Sequence, residues 1–282
     1  MMCLPELYQQ VNIQSKEDNT IALSTYFKQI KLNEFCEVMD VGCGPGNVTS
    51  SLLIPALPES IKKLVAVDIS EEMINFARRK YTDNDKIMFR VMNITTEKIP
   101  KEFLNRFDHI VSLYCFHMVF DHKQALSNIY KMLQPGGNVF LNFMGYCIIF
   151  DVYKSLKEEK EWSHYLRRYN TIAPPTQTLE NPTVWFEKLL TEVGFKAHYC
   201  VATKKEYIYP RSIFEKLVLA VNFFQFLVNL EESFVNYHMD YLKKKNYFYI
   251  DSDGIEYYRF PYTLLTVYGS KPVQFQNISG AY

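Results

Sequence analysis

Val38-Met39-Asp40-Val41-Gly42-Cys43-Gly44-Pro45-Gly46, taken with Leu64-Val65-Ala66-Val67-Asp68, decides how this chain folds. Both are short apolar runs with an acid at the end, the pattern of parallel strands buried on both faces whose carboxyl ends carry a site. A glycine-dense turn follows the first run, and residues from about Val48 to Leu53 read as helical. Glycines let the backbone turn sharply and approach a ligand where a Cβ would collide. Asp68 stands 22 residues beyond Gly46, the distance at which an acid after a glycine loop binds a ribose diol.

The dinucleotide fingerprint G-x-G-x-x-G would need its third glycine at Asn47, so it fails. The spacing is instead Gly42, Gly44, Gly46, with Asp40 two residues before the first. This stretch resembles the class I S-adenosylmethionine-dependent methyltransferases. A carboxylate at Asp40 suits a ligand with an ammonium group and would repel a pyrophosphate, and the loop has no lysine or arginine to meet phosphates.

At 282 residues the chain accommodates one large domain, or a domain with a cap, and 48% hydrophobic content suffices for a sizeable core. Lysine plus arginine and aspartate plus glutamate number 31 each. That balance argues against a nucleic-acid footprint, which needs clustered positive charge. The six cysteines are scattered without a C-x-x-C pair, so no metal is expected and a reduced, cytoplasmic setting is the simplest reading. No run approaches the length of a membrane span, and the amino terminus lacks a secretory pattern. Aromatic content is high, with 21 Tyr and 21 Phe, much of it after residue 143.

Alternation of strand and helix patterns predicts an α/β fold: a doubly wound, mostly parallel seven-strand sheet of Rossmann-like type with a helical substrate cap. Strands are expected at about 37–41, 63–67, 87–91, 107–113, 138–144, 197–209 and 262–268. Ser70 is placed to cap a helix that packs Met73, Ile74 and Ala77. Gln124 to Leu133 reads as a helix stopped by Gln134-Pro135-Gly136-Gly137. Helices are expected over 148–169 and 181–193. Ser212-Ile213-Phe214-Glu215 reads as a capping box opening an apolar helix that runs to Leu227, with another helix over 231–245. The division that follows is a helical leader over the site (1–35), with Ile21, Leu23, Phe27 and Ile30 as its apolar face, then a cofactor-binding core (36–145). After these come cap insertions with the last two strands (146–270) and a tail (271–282).

Asp40 is the candidate acceptor for a methionine ammonium, and Gly42, Cys43, Gly44 and Gly46 are placed to lie along methionine and ribose. Asp68 can meet both ribose hydroxyls, since two carboxylate oxygens match two adjacent donors. Ile69 and Met73 are placed to flank adenine, with Asn93 an uncharged partner for its amino group. Ile94 and Leu113 complete the cofactor set. Leu113-Tyr114-Cys115-Phe116-His117-Met118 ends the fourth strand, where a methyl acceptor should sit; the [DN]-P-P-[YF] motif of base-amine methylation is missing there. His117, the one titratable side chain in that segment whose charge changes near neutral pH, is a substrate-facing candidate with Tyr114.

Leu7-Tyr8…Asn12, Asp68-Ile69-Ser70-Glu71-Glu72-Met73, Phe107-Asp108-His109, His117 and Ile149-Phe150-Asp151-Val152-Tyr153…Trp162 resemble the insect juvenile hormone acid O-methyltransferases, over about residues 4–270. The resemblance implies methylation of a lipophilic sesquiterpenoid acid, juvenile hormone acid or farnesoic acid, with S-adenosylmethionine as donor. His117, Tyr114 and Gln14 would hold the carboxylate. Phe150, Tyr153, Trp162, Phe214, Leu217, Val221 and Phe224 would bury the lipophilic chain. Two departures predict a diverged substrate pocket beside an unchanged cofactor site. Met118 stands where the family has Trp, and the family's amino-terminal Gln is displaced, with Ser15 in register and Gln14 one place earlier.

A carboxylic acid is already ionised near neutral pH, so its methylation needs positioning and a dry pocket rather than a strong base. Three alternatives stay open at this point. One is methylation of another small acid, an amine or a phenol; another is non-enzymatic S-adenosylmethionine binding; the last, a nicotinamide dehydrogenase, is disfavoured by Asn47.

Overall fold

The computed structural model describes residues 4–167, 173–222, 224 and 228–273. Its sheet is built from β1 (Glu37–Val41), β2 (Lys63–Asp68), β3 (Ile87–Val91), β4 (Phe107–Leu113), β5 (Leu133–Cys147), β6 (Lys196–Pro210), β7 (Phe248–Ile250) and β8 (Glu256–Ser270). The order is β3-β2-β1-β4-β5-β8-β6, with β7 beside β8. The first five strands run parallel, and β8 lies antiparallel between β5 and β6. Strand order reverses at β1/β4, where open α/β sheets place their ligands outside the strand carboxyl ends.

Alternation along the strands sends side chains to two cores. Val38, Leu64 and Ala66 face one, together with Ile74 and Ala77 of α4 (Glu71–Lys80). Met39, Val41, Val65 and Val67 face the other, with Leu126 and Ile129 of α5 (His122–Met132) and Phe186, Leu189 and Leu190 of α7 (Pro182–Val193). The second expected helix before strand six is therefore part of the layer covering the sheet. Ser70 caps α4 by accepting from Met73 N at 3.2 Å, and Asp121 caps α5 by accepting from Gln124 N at 2.8 Å.

A third apolar cluster forms the cap. It joins α6 (Ile148–Glu158), α8 (Arg211–Ala220), α9 (Glu231–Lys244), the upper half of β8, and Val11 of α1 (Pro5–Val11). No helix among the described residues is long and apolar enough to cross a membrane.

Several local expectations need correction. The Ser212–Glu215 capping box does not form: the helix begins at Arg211, and Glu215 instead accepts from Arg211 Nε at 2.7 Å. The same guanidinium reaches Glu256 at 3.0 Å, so the carboxylate finds a cationic partner before a backbone one. That helix ends at Ala220; residues 223 and 225–227 of the expected apolar run lie outside the described residues. The helix expected over 148–169 stops at Glu158, and its last two positions, with most of the 271–282 tail, also lie outside them. The Val48–Leu53 segment is a π-helical turn (Thr49–Leu53) continued by the short α3 (Ile54–Ala56). Strand β5 begins at Leu133 rather than 138, passing Gln134–Gly137 as an irregular lead-in where its pairing with β4 shifts register. Strand β7 had no expectation, being three residues that pair only with β8.

The leader shows the most informative difference. In α2 (Ile13–Thr25) the buried face carries Gln14, Ser15, Asp18 and Asn19 beside Ala22 and Leu23, while Ile21 is exposed. Buried polar groups are costly without partners, so this helix is seated by hydrogen bonds as much as by apolar contact.

Candidate active site

The β1–α3 turn is shaped by three glycines with positive φ: Gly42 at 78°, Gly44 at 54° and Gly46 at 80°. A Cβ on Gly42 would stand 2.1 Å from Cys115 Sγ, and one on Gly46 would meet the Phe89 ring at 3.0 Å. At Gly44 a Cβ would meet nothing within 4 Å; that residue faces open space in the pocket. The turn is tied to β2 because Gly42 N and Cys43 N both donate to Val67 O, at 2.7 and 3.0 Å.

Both strand-end acids converge on this turn. Asp68 Oδ2 accepts from Gly44 N at 2.9 Å and Oδ1 from Ser70 N at 2.9 Å. Burial pushes its carboxyl above the ordinary value, and the amides of Ser70 and Gly44 pull the other way. Asp40 is 2% exposed, and its Oδ2 accepts from Thr49 Oγ1 at 2.7 Å. Burial pushes the Asp40 carboxyl up to about 7, opposed by Thr49 and reinforced by the charge of Asp68. A cation placed beside it would restore ionisation.

The pocket that opens from the turn spans about 350 Å³ of atom-free space, much of it in the solvent-open mouth. Asp40, Gly42, Cys43, Gly44, Pro45, Asn47 and Val48 line one side, Leu113 and Tyr114 another, and Tyr8 and Ser15 of the leader cover it. Tyr8, Ser15 and Asn47 went unassigned in the sequence. Burial raises the Tyr8 phenol to about 12, with Ser15 pulling the other way, and Ser15 Oγ donates to Asn12 O at 2.9 Å. Besides a leader expected over the site, Tyr8 lies in the Leu7-Tyr8…Asn12 stretch that carries the family resemblance, and Ser15 stands in register with the family's amino-terminal Gln. Asn47 had only its place in the glycine turn.

The remaining candidates divide. Met73 and Ile94 are buried, while Ile69 is 60% exposed. Asn93 Oδ1 already accepts from Thr95 N at 3.0 Å and Thr95 Oγ1 at 2.8 Å. His117 is buried, its Nδ1 makes no hydrogen bond among the described residues, and burial with the neighbouring His122 pushes its pKa down to about 3. It is neutral at any physiological pH, a hydrogen-bonding group rather than a base. Tyr114 has φ 60°, a sparsely used conformation for a non-glycine residue that the surroundings must hold. Its hydroxyl donates to Asp18, so it is not free to donate to an acceptor. Gln14 Oε1 accepts from Tyr209 OH at 2.6 Å, and its amide nitrogen makes no hydrogen bond among the described residues. Met118 is half-buried.

Phe150, Tyr153, Trp162, Phe214, Leu217 and Phe224 are buried in the cap cluster, with Val221 packed at its margin. Tyr153 meets Phe224 at 5.0 Å between ring centroids, and Phe214 stacks on Tyr258 at 5.4 Å. None of them lines the pocket around Asp40. Aromatic side chains bury each other here, and Tyr114 is the residue that packs on this cluster while also lining the pocket.

A family model described as a methyltransferase domain matches residues 39–141. Juvenile hormone acid O-methyltransferase of Drosophila melanogaster is 30% identical over 277 residues, 96% of this chain and 93% of that protein. The chain belongs to the juvenile hormone acid O-methyltransferase family. The Bombyx mori protein of the same name is 30% identical over 241 residues, 85% of this chain and 86% of its own. Among solved structures, phosphoethanolamine N-methyltransferase 2 of Haemonchus contortus, in complex with S-adenosylmethionine, superposes with a TM-score of 0.54 at 15% identity, over 95% of this chain and 56% of that one. The YcgJ protein of Bacillus subtilis gives 0.57 at 14% identity, over 90% and 99%. These two likenesses show the class I fold. The family member described here is thus an S-adenosylmethionine-dependent methyltransferase. Its pocket fits that donor: the buried Asp40 suits an ammonium group, and Gly44 leaves room for a ligand against the backbone.

Proposed function

We propose that this protein methylates the carboxylate of a lipophilic, sesquiterpenoid acid of the juvenile hormone acid or farnesoic acid type, in a cytoplasmic setting. The names of the two insect relatives support the substrate class. The observation that carries the cofactor half is the Gly44–Asp68 hydrogen bond, which joins the glycine turn to the second strand-end acid beside the pocket.

S-adenosylmethionine, when bound, supplies an electrophilic methyl group on a sulfonium. Asp40 would hold the ammonium, and Asp68 would accept from the ribose hydroxyls while keeping Gly44 in place. Gly42, Cys43 and Gly46 would lie along the methionine and ribose, Ile69, Met73 and Ile94 would enclose adenine, and Leu113 would form the floor. Asn93 would reach the adenine by exchanging one of its Thr95 bonds. A substrate carboxylate needs no base, being ionised about three units below neutrality. The neutral ring of His117 and the amide nitrogen of Gln14 can each offer it a hydrogen bond, with Tyr114 and Met118 as wall. The cap cluster from Phe150 to Phe224 would supply the apolar face for the substrate's chain, excluding water so that anion and cation attract strongly. In this reading residues 1–35 cover the site, 36–145 bind the cofactor and 146–270 supply the cap.

Chromatography should show methyl farnesoate after incubation with farnesoic acid and S-adenosylmethionine. Turnover of amines or phenols alone would contradict the acid reading.

Asp40 makes cofactor affinity pH-dependent. Binding of a cation requires the ionised carboxylate, so calorimetric affinity for S-adenosylhomocysteine should rise about tenfold from pH 6 to 8 and level off above. Asp40→Asn should bind weakly with no such slope. Stability runs the other way. The Asp40 carboxyl holds its proton more tightly folded, at about 7, than at its ordinary 3.8. Its contribution is present below pH 4 and lost as pH climbs through 7.

A further inference from the structure

The leader does more than cover the pocket. Gln14, Ser15, Asp18 and Asn19 share one face of α2, at the i, i+4 spacing that aligns helix side chains, and that face is buried. Asp18 Oδ2 accepts from Tyr262 OH at 2.8 Å and from Tyr114 OH, and its Oδ1 pairs with Lys205. The carboxylate side chain is 2% exposed and the lysine 27%. Next to it, Asn19 Oδ1 accepts from Asn142 Nδ2 at 2.8 Å, and Asn142 O accepts from Tyr114 N at 2.7 Å. One helix thus holds Tyr114 twice, by its phenol through Asp18 and by its backbone through Asn19 and Asn142.

Tyr114 needs such holding. It lies in the left-handed region directly after β4, lines the pocket, and packs on the cap cluster. A buried carboxylate would be a liability unless paired, and removing its partners exposes the full desolvation cost. Here one lysine and two phenols satisfy it, and the ends of that network are the pocket wall and strand β6.

We propose that Asp18, braced by Lys205, is a positioning residue for acceptor recognition: it fixes the Tyr114 phenol and so sets the shape of the acceptor side of the pocket. This rests on the reading above that the acceptor enters beside Tyr114 and His117. The charge at Asp18 is spent on Lys205 and two hydroxyls, so a substrate anion meets a tyrosine wall held in place and not a free carboxylate.

Steady-state kinetics of the full chain test it, on a panel of farnesoic acid, a short polar acid, an amine and a phenol. Each variant's affinity for S-adenosylhomocysteine is measured by calorimetry beside its kinetics. Asp18→Ala is expected to raise the acceptor KM at least tenfold and leave S-adenosylhomocysteine binding within about threefold of wild type. Asp18→Asn keeps an oxygen facing the phenols and should recover most of the loss; Lys205→Met should show a smaller rise in KM. Because Asp18 acts through Tyr114, Asp18→Ala combined with Tyr114→Phe should lose no more than the larger single variant, the signature of residues in one network. An unchanged KM in Asp18→Ala, losses that multiply in the double variant, or an equal fall in S-adenosylhomocysteine affinity overturns the proposal. Where Asp18→Ala fails to fold, Asp18→Asn and Lys205→Met carry the comparison, and an unchanged KM in Lys205→Met overturns it. If wild type methylates the amine or phenol and neither acid, the acid reading fails and the same comparison is read on that acceptor.

Discussion

Asp68→Ala is expected to weaken S-adenosylmethionine binding at least 100-fold, measured by calorimetry at pH 8. Two losses combine. The ribose diol loses both carboxylate oxygens, charge-assisted acceptors worth about 1.5–3 kcal/mol each. The amides of Gly44 and Ser70 lose their acceptor as well, so the glycine turn is no longer pinned to β2 at the point facing the ligand. A hundredfold corresponds to about 2.7 kcal/mol, less than one such bond at the upper end, so the figure is a floor. Asp68→Asn retains one oxygen and should fall between the two. Unchanged affinity in Asp68→Ala would remove the diol assignment.

Gly42→Ala is expected to cost the fold as well as the site. A methyl group there stands 2.1 Å from Cys115 Sγ and 2.3 Å from Cys115 Cβ, at a φ of 78°. Neither the clash nor the conformation is relieved cheaply: the left-handed backbone costs about 1–2 kcal/mol for a residue with Cβ, and overpacking about 1–3. A sum of about 2–5 kcal/mol lowers Tm by roughly 4–10 °C in a domain of this size, at about 2 °C per kcal/mol. Cofactor binding should be lost in parallel, because a shift at Gly42 breaks the bonds from Gly42 N and Cys43 N to Val67 O and displaces the turn that faces the ligand. Adding Cys115→Gly should recover part of the stability, the steric part, and leave the backbone part. Gly44→Ala separates the effects: its Cβ meets no protein atom within 4 Å and its φ is 54°, so it should cost only the left-handed backbone share, about 1–2 kcal/mol, and lose ligand affinity. Equal Tm for wild type and Gly42→Ala would contradict the packing described.

The parallel core was legible because its signals are local. Strands β1 to β4 were expected at or within one residue of their observed bounds, since apolar runs ending in Asp40, Asp68 or Leu113 carry their own boundaries. Ser70 was readable as a cap for the same reason, its partner being Met73, three residues on. The convergence of Asp40 and Asp68 on one turn followed from the spacing of two strands with a single crossover.

What escaped the sequence depends on contacts between distant segments. Asp18 meets Tyr114, Lys205 and Tyr262, partners 96, 187 and 244 residues away, and nothing within α2 distinguishes it from a solvated acid. An amphipathic reading of the leader placed Ile21 inward with Leu23, Phe27 and Ile30; the last three are buried, but Ile21 is exposed and Gln14, Ser15, Asp18 and Asn19 share the inward face. The Ser212–Glu215 box failed because Arg211 competes for the same carboxylate. The cap aromatics show a different limit: Phe150 and Tyr153 have the composition of a binding surface and of a core alike, and burial assigns them to a packed cluster beside the pocket.

The most direct measurement sets wild type and Asp68→Ala side by side with farnesoic acid and methyl-labelled S-adenosylmethionine, and follows the label by chromatography. Carboxyl methylation with the donor held by Asp68 predicts labelled methyl farnesoate from wild type and essentially none from the variant. Label recovered only on amines or phenols, or ester formed equally by both proteins, would contradict it.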